Sequence, residues 1–237
     1  MTELLYTTDS YLKTMEATVI AHALGGVVLD RTAFYPGGGG QPADTGNLTD
    51  AHGMAYIVMG LKKVEGQIVH LVAGDELPEV GTTVTGEIDW DRRYALMRTH
   101  TAMHILCGVI WRDYQAQVTG GSMDPLLGRL DFEFDRLDKA LVEEIEEKIN
   151  AEVAASHPIQ VKILPRDEAF QIPDLIRTKI NLLPPGISEV RTVEIVGLDL
   201  QADGGTHVAN TYEVGPLKIS DYKSKGAINK RIYVTVG

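Results

Sequence analysis

The sequence predicts an α+β protein in two parts: a small N-terminal antiparallel β-barrel-like domain over residues 1–90, then an α+β domain over residues 91–237 with antiparallel sheet and helices. Three observations carry this. The first ninety residues are rich in β-branched residues, glycine and turn signals and hold little helix. From about Asp91 apolar residues recur at helical spacing. Short strand-like runs then return between and after two helical stretches, which suits a mostly antiparallel sheet with helices packed on one side. With 237 residues, 44% of them hydrophobic, there is material for one large core or two small ones.

In chain order, "ATVIAHALGGVVLD", "AYIVMGLKKVEGQIVHLV" and "TTVTGEIDW" read as strands joined by tight turns at GG, KKVEG and VGTT. "RRYALMRTHTAMHILCGVIWRDYQ" reads as a helix, and "LDKALVEEIEEKINAEVAAS" as a second, amphipathic one with acidic residues near its start. "GRLDFEFD", "PIQVKILP", "TVEIVGLDLQA", "NTYEVGPLKISDYKSKG" and "KRIYVTV" read as strands. No repeat and no low-complexity tail interrupts them.

A net charge of −11 argues against a protein that coats nucleic acid nonspecifically, without excluding a local basic patch. One cysteine excludes an internal disulfide framework and agrees with a reducing compartment. No apolar run approaches the roughly 20 residues of a membrane helix. The N-terminus carries acidic residues where a signal peptide is basic and then apolar, so a cytoplasmic protein with no membrane partner is expected.

Three segments carry candidate chemistry. In "RTHTAMHILCGVIW", His100 and His104 stand four apart and share one helix face, a spacing that can grip one metal ion or belong to two ordinary half-buried histidines. In "LQADGGTHVANT", Asp203 and His207 flank a Gly-Gly-Thr turn that lets a carboxylate and an imidazole converge. Together these give His100, His104, Asp203 and His207, a nitrogen and oxygen set that zinc accepts. In "RTAFYPGGGGQPADTG", four glycines suit a tight turn or the close approach of another molecule, and their aromatic, proline and amide surroundings are not linker composition. Gly38, Gly39 and Gly40 are therefore candidate substrate-binding positions, with Thr32 and Gln41 beside them as candidate catalytic groups.

The trio "RTAFYPGGGGQPADTG", "HTAMH" and "DGGTHV", in this order, resembles the free-standing alanyl-tRNA editing proteins, which are similar to the editing domain of alanyl-tRNA synthetase. The resemblance covers nearly the whole chain, including the closing "YKSKGAINKRIYV". It implies a trans-acting deacylase that hydrolyses the ester of tRNA(Ala) mischarged with serine or glycine, and one Zn2+ held by an HxxxH pair and a later CxxxH pair. His100, His104 and His207 match three of those positions, and Asp203 stands where the family has cysteine. Three outcomes stay open: Asp203 ligates through oxygen, Cys107 on the histidine stripe substitutes, or the metal is weakened or absent. Thr32, matching the family's threonine before FYP, is placed to hydrogen-bond a seryl hydroxyl. Arg92, Arg93 and Arg98 before the histidine pair, and Lys223, Lys225, Lys230 and Arg231 near the end, are expected to form a phosphate-facing strip for tRNA.

Overall fold

The computed structural model describes residues 2–134, 137–178, 183, 186–226 and 228–237. The chain divides into two units, Met1–Tyr94 and Ala95–Gly237.

In the first unit, a two-residue strand β1 (Glu3–Leu4) pairs in parallel with β4 (Arg31–Thr32). Six further strands close a barrel: β2 (Thr14–Ala23), β3 (Gly26–Leu29), β5 (Gly46–Asp50), β6 (Ala55–Val64), β7 (Gln67–Val72) and β8 (Thr83–Ile88), in the order β2-β3-β7-β6-β5-β8. Alternation along β8, exposed and buried in turn from Thr83 to Ile88, is the signature of a strand with one face inward. The interior is apolar, with Val27, Leu29, Phe34, Leu48 and Val84 fully buried. The turn at GG is built by Leu24 and Gly25 and the turn at KKVEG by Glu65 and Gly66, all four at positive φ. Two successive positive-φ residues match the right-handed strand twist in a two-residue hairpin.

Gly37, Gly38, Gly39 and Gly40 all have positive φ, so the four-glycine run is a defined turn and not an unstructured tether. Its ends are pinned: Gly38 and Gln41 exchange backbone hydrogen bonds, and the Tyr35 hydroxyl donates to the Gly38 carbonyl at 3.0 Å. Just beyond it, Asp44 is fully buried against Arg93. Arg93 Nε meets both carboxylate oxygens at 3.1 and 3.0 Å, Nη1 donates to the Ser10 carbonyl at 2.9 Å, and Nη2 to the Ala33 carbonyl at 2.7 Å and to Asp44. Asp44 also accepts the Tyr35 N–H at 2.6 Å.

Helix α1 (Trp90–Tyr114) opens where the Asp89 carboxylate accepts the Arg92 N–H at 3.2 Å. The division between the units falls inside it, after Tyr94. In the second unit every residue from Thr99 to Ile110 is buried. Two antiparallel sheets stand where the sequence suggests one. β14 (Leu217–Ser224), β15 (Asn229–Val236), β10 (Leu127–Glu133) and β9 (Val118–Asp124) form the first, and β11 (Ile159–Pro165), β12 (Glu189–Ile195) and β13 (Asp199–Ala202) the second. Glycines let α1 approach both: a Cβ on Gly128 would lie 2.9 Å from Met103 Cγ, and one on Gly108 would lie 2.9 Å from Leu198 Cγ at the start of β13. Helix α2 (Lys139–Ala154) is capped by Asp138, which accepts the Leu141 N–H, and buries Val142, Ile145, Ile149 and Val153 at helical spacing. A short α3 (Arg166–Ala169) follows β11. Residues 211–214, expected in a strand, form a 3-10 turn, because Asn210 and Glu213 close a capping box there. Among the described residues no helix is long and apolar enough to cross a membrane.

Removing one partner of a buried pair strands the other charge. Asp44→Asn is therefore expected to cost about 3–5 kcal/mol, read as a lower urea midpoint, and a loss below about 1 kcal/mol would show that the Arg93 network does not hold the barrel.

Candidate metal centre

Four side chains from two distant segments converge in the second unit. His100 and His104 project from α1, while Asp203 and His207 come from the turn that follows β13. One ligand atom from each lies within 4.8 Å of all the others. The ring centroids of the imidazoles are 4.3 to 5.1 Å apart, with His100 and His207 stacked at an interplanar angle of 30°.

The turn is shaped by Asp203 itself. Its Oδ2 accepts the Gly205 N–H at 2.7 Å and lies 3.0 Å from His207 Nε2, while Oδ1 is 3.6 Å from His100 Nε2. Strand β12 holds its backbone: the Asp203 N–H donates to the Arg191 carbonyl at 3.1 Å, and Arg191 Nη1 donates to the Asp203 carbonyl at 3.0 Å.

Two further ring nitrogens are also engaged. His104 Nδ1 is 3.2 Å from Asp199 Oδ2, and His207 Nδ1 is 3.1 Å from the Thr101 hydroxyl. Such outer contacts leave the opposite nitrogen of these two rings for a metal and fix their direction. Three nitrogens and a carboxylate oxygen are a donor set that zinc accepts, and the four residues can hold a metal ion.

Burial pushes His207 down to about 4 and His100 well below 6.5, against the opposing pull of Asp203. Both imidazoles are thus neutral near pH 7, the form that ligates. Burial also opposes ionisation of Asp203, while the charge of His100, where that ring is protonated, and the hydrogen bond from His207 hold its carboxyl below the usual range. At His104 burial is outweighed by the hydrogen bond to Asp199 and by the charges of Asp203 and Asp199, which raise it.

Cys107 is not in the cluster. Its buried thiol receives a hydrogen bond from Gln201 Nε2 at 3.3 Å, and burial, then the Asp199 charge, push its pKa up. Thr32 and Gln41 lie in the first unit and are almost wholly buried, at 0% and 2% exposure. The Thr32 hydroxyl is 2.8 Å from His70 Nε2 and accepts the Phe34 N–H at 3.1 Å. Gly38, Gly39 and Gly40 are exposed.

The basic strip is largely dismantled. Arg93 is fully buried with its donors bound to Asp44 and two carbonyls, so it is not available to a phosphate. Arg98 caps the carbonyls of Glu213, Val214 and Gly237. Lys230 is 7% exposed and donates to the Gly226 carbonyl, and Arg231 grips Asp131 with two bonds of 2.6 and 2.7 Å. Lys223 and Lys225 are exposed, Lys223 beside Asp221, and Arg92 is half-buried.

Sequence reasoning passed over Thr101, Asp199 and Arg191, whose roles come from pairing across the fold and have no local motif.

The chain matches the family model described as tRNA synthetases class II (A) over residues 7–92, and that of the threonyl and alanyl tRNA synthetase second additional domain over residues 190–233. It is 42% identical over 237 residues to the "Alanyl-tRNA editing protein AlaX-M" of Saccharolobus solfataricus, covering 100% of this chain and 99% of that one. The protein of the same name from Methanosarcina mazei is 40% identical over 243 residues, covering 100% of this chain and 97% of its own. The "Alanine--tRNA ligase" of Pyrobaculum aerophilum is 43% identical over 223 residues, which is 91% of this chain and 25% of the ligase.

The buried imidazoles set a pH dependence for the metal-free protein. His207 takes up a proton at about 6.5 when unfolded and only at about 4 when folded, so acid favours the unfolded chain. His100 and Asp203 act in the same direction, and His104 opposes them. The thermal midpoint of metal-free protein is expected to fall as pH drops from 6.5 to 4, with a flatter profile for His207→Gln. A midpoint that holds or rises across that window would contradict neutral buried imidazoles.

Proposed function

The chain belongs to the family of alanyl-tRNA editing proteins, and from that membership and the geometry above we propose that it hydrolyses the ester of seryl-tRNA(Ala), and of glycyl-tRNA(Ala), in trans. The observation that carries the reading is the convergence of His100, His104, Asp203 and His207, with Asp199 and Thr101 on the outward nitrogens of two of them. In this reading Asp203 holds the place of the family's cysteine and the set binds one Zn2+. Structural zinc sites favour sulfur, and this set has none, which favours a working centre.

When bound, zinc supplies a Lewis acid for the ester carbonyl or the attacking water. The chain's own residues do the rest. Asp203 would set one negative charge against the two positive charges of the ion, among three neutral imidazoles. Asp199 and Thr101 keep two rings aimed. An aminoacyl ester is already activated, so placing it correctly is most of the task.

Thr32 is assigned the reading of serine. His70 Nδ1 faces the Val27 carbonyl at 3.3 Å and therefore carries the ring proton, so Nε2 accepts the Thr32 O–H. With Phe34 donating to it, the Thr32 oxygen retains one lone pair, which suits a seryl hydroxyl as donor. Lys223, Lys225 and Arg92 are assigned to tRNA phosphates.

The deciding assay compares deacylation of seryl-tRNA(Ala) and alanyl-tRNA(Ala), with metal content measured on the same samples. Wild-type protein is expected to prefer the seryl ester, and Asp203→Ala to lose zinc together with about 100-fold or more of the rate. Thr32→Val is expected to keep zinc while its seryl preference narrows by about 10-fold. Activity surviving in zinc-free Asp203→Ala would sink the metal reading, and an unchanged preference in Thr32→Val would confine Thr32 to packing.

For the tRNA contact, Lys223→Ala and Lys225→Ala are each expected to lower the slope of log affinity against log salt by about 1. Slopes equal to wild type would place the phosphates elsewhere.

A further inference from the structure

Two buried atoms without a hydrogen bond among the described residues, Arg177 Nε and Asp199 Oδ1, face each other at 3.5 Å. The Asp199 side chain is fully buried and that of Arg177 is 11% exposed. Arg177 is itself held in place: its guanidinium lies over the Trp111 ring, 4.8 Å from the centroid, and Nη1 donates to the Asp174 carbonyl at 2.7 Å. The other oxygen of Asp199 lies 3.2 Å from His104 Nδ1 and accepts from Gln201 Nε2 at 2.7 Å.

A buried carboxylate needs a countercharge, and one that also orients a ring needs its own rotation stopped. Arg177 meets both needs. It takes Oδ1 and so leaves Oδ2 for His104, and its charge is permanent. Gln201 alone would supply a hydrogen bond but no charge.

We infer that Arg177 is a positioning residue of the candidate centre, acting through Asp199 to aim the imidazole of His104 and thereby set how tightly the metal is held. This rests on the zinc reading above. The role differs from fold support because it runs through one carboxylate to one ligand, so removing that carboxylate should remove the effect of Arg177.

The test is zinc affinity, by chelator competition, of full-length wild type, Arg177→Met, Arg177→Lys, Asp199→Asn and the Arg177→Met/Asp199→Asn double variant, with the visible spectrum of each loaded with Co2+. Arg177→Met is expected to weaken zinc by about 10–100-fold and to shift the cobalt spectrum, while Arg177→Lys recovers most of both. In the Asp199→Asn background, Arg177→Met is expected to change affinity by less than about 3-fold. Wild-type zinc binding with equal affinity in Arg177→Met would overturn the inference while leaving the metal reading intact. Equal losses in both backgrounds would reduce Arg177 to a structural residue. A wild-type protein that binds no zinc would overturn both readings together.

Discussion

The carboxylate of Asp203 is the constraint on which the candidate site depends. At 12% side-chain exposure it lies among three imidazoles, and a charge placed there is costly unless every neighbour answers it. The surrounding chain does so. A glycine amide two residues on closes the turn onto Oδ2, and β12 ties down the backbone on either side through Arg191. The arrangement also explains why α1 is buried on all sides from Thr99 to Ile110: it must bring two imidazoles to a turn at the end of one sheet while resting on the other.

Much of this was legible in the sequence, and the exceptions share causes. Helix α2 could be read because Val142, Ile145, Ile149 and Val153 mark one stripe. The four candidate ligands could be read because two motifs of matching spacing complement each other. Strand β9 could not, since "VTGGSMD" carries two glycines and few apolar residues. One of those glycines, Gly121, is there for space, as a Cβ would lie 2.8 Å from Leu130. The 3-10 turn at 211–214 did have a signal, Asn210 followed three residues later by Glu213, hidden by the β-prone residues around it. Two sheets in place of one could not be inferred, because strand runs name strands and not their partners.

The arginines show a different limit. Arg93, Arg98 and Arg231 looked like a surface for phosphate because charge is visible in a sequence and direction is not. Each has turned inward, toward Asp44, toward the carbonyls of Glu213 and Val214, or toward Asp131. A guanidinium offers five donors in a planar fork, against three on a lysine ammonium, and so can satisfy more buried acceptors at once. A single sequence does not separate arginines used this way from those offered to a ligand.

Sulfur is absent from the candidate ligand set, and this bears on chemistry outside translation. A thiolate ligand can climb from sulfenic to sulfinic and sulfonic acid and release its metal on the way, whereas a carboxylate has no such ladder. The chain's single sulfhydryl, on Cys107, is buried and held protonated, which makes it a poor target for peroxide or electrophiles. The centre proposed here, with Asp203 among its ligands, therefore offers an oxidant no sulfur ligand to attack.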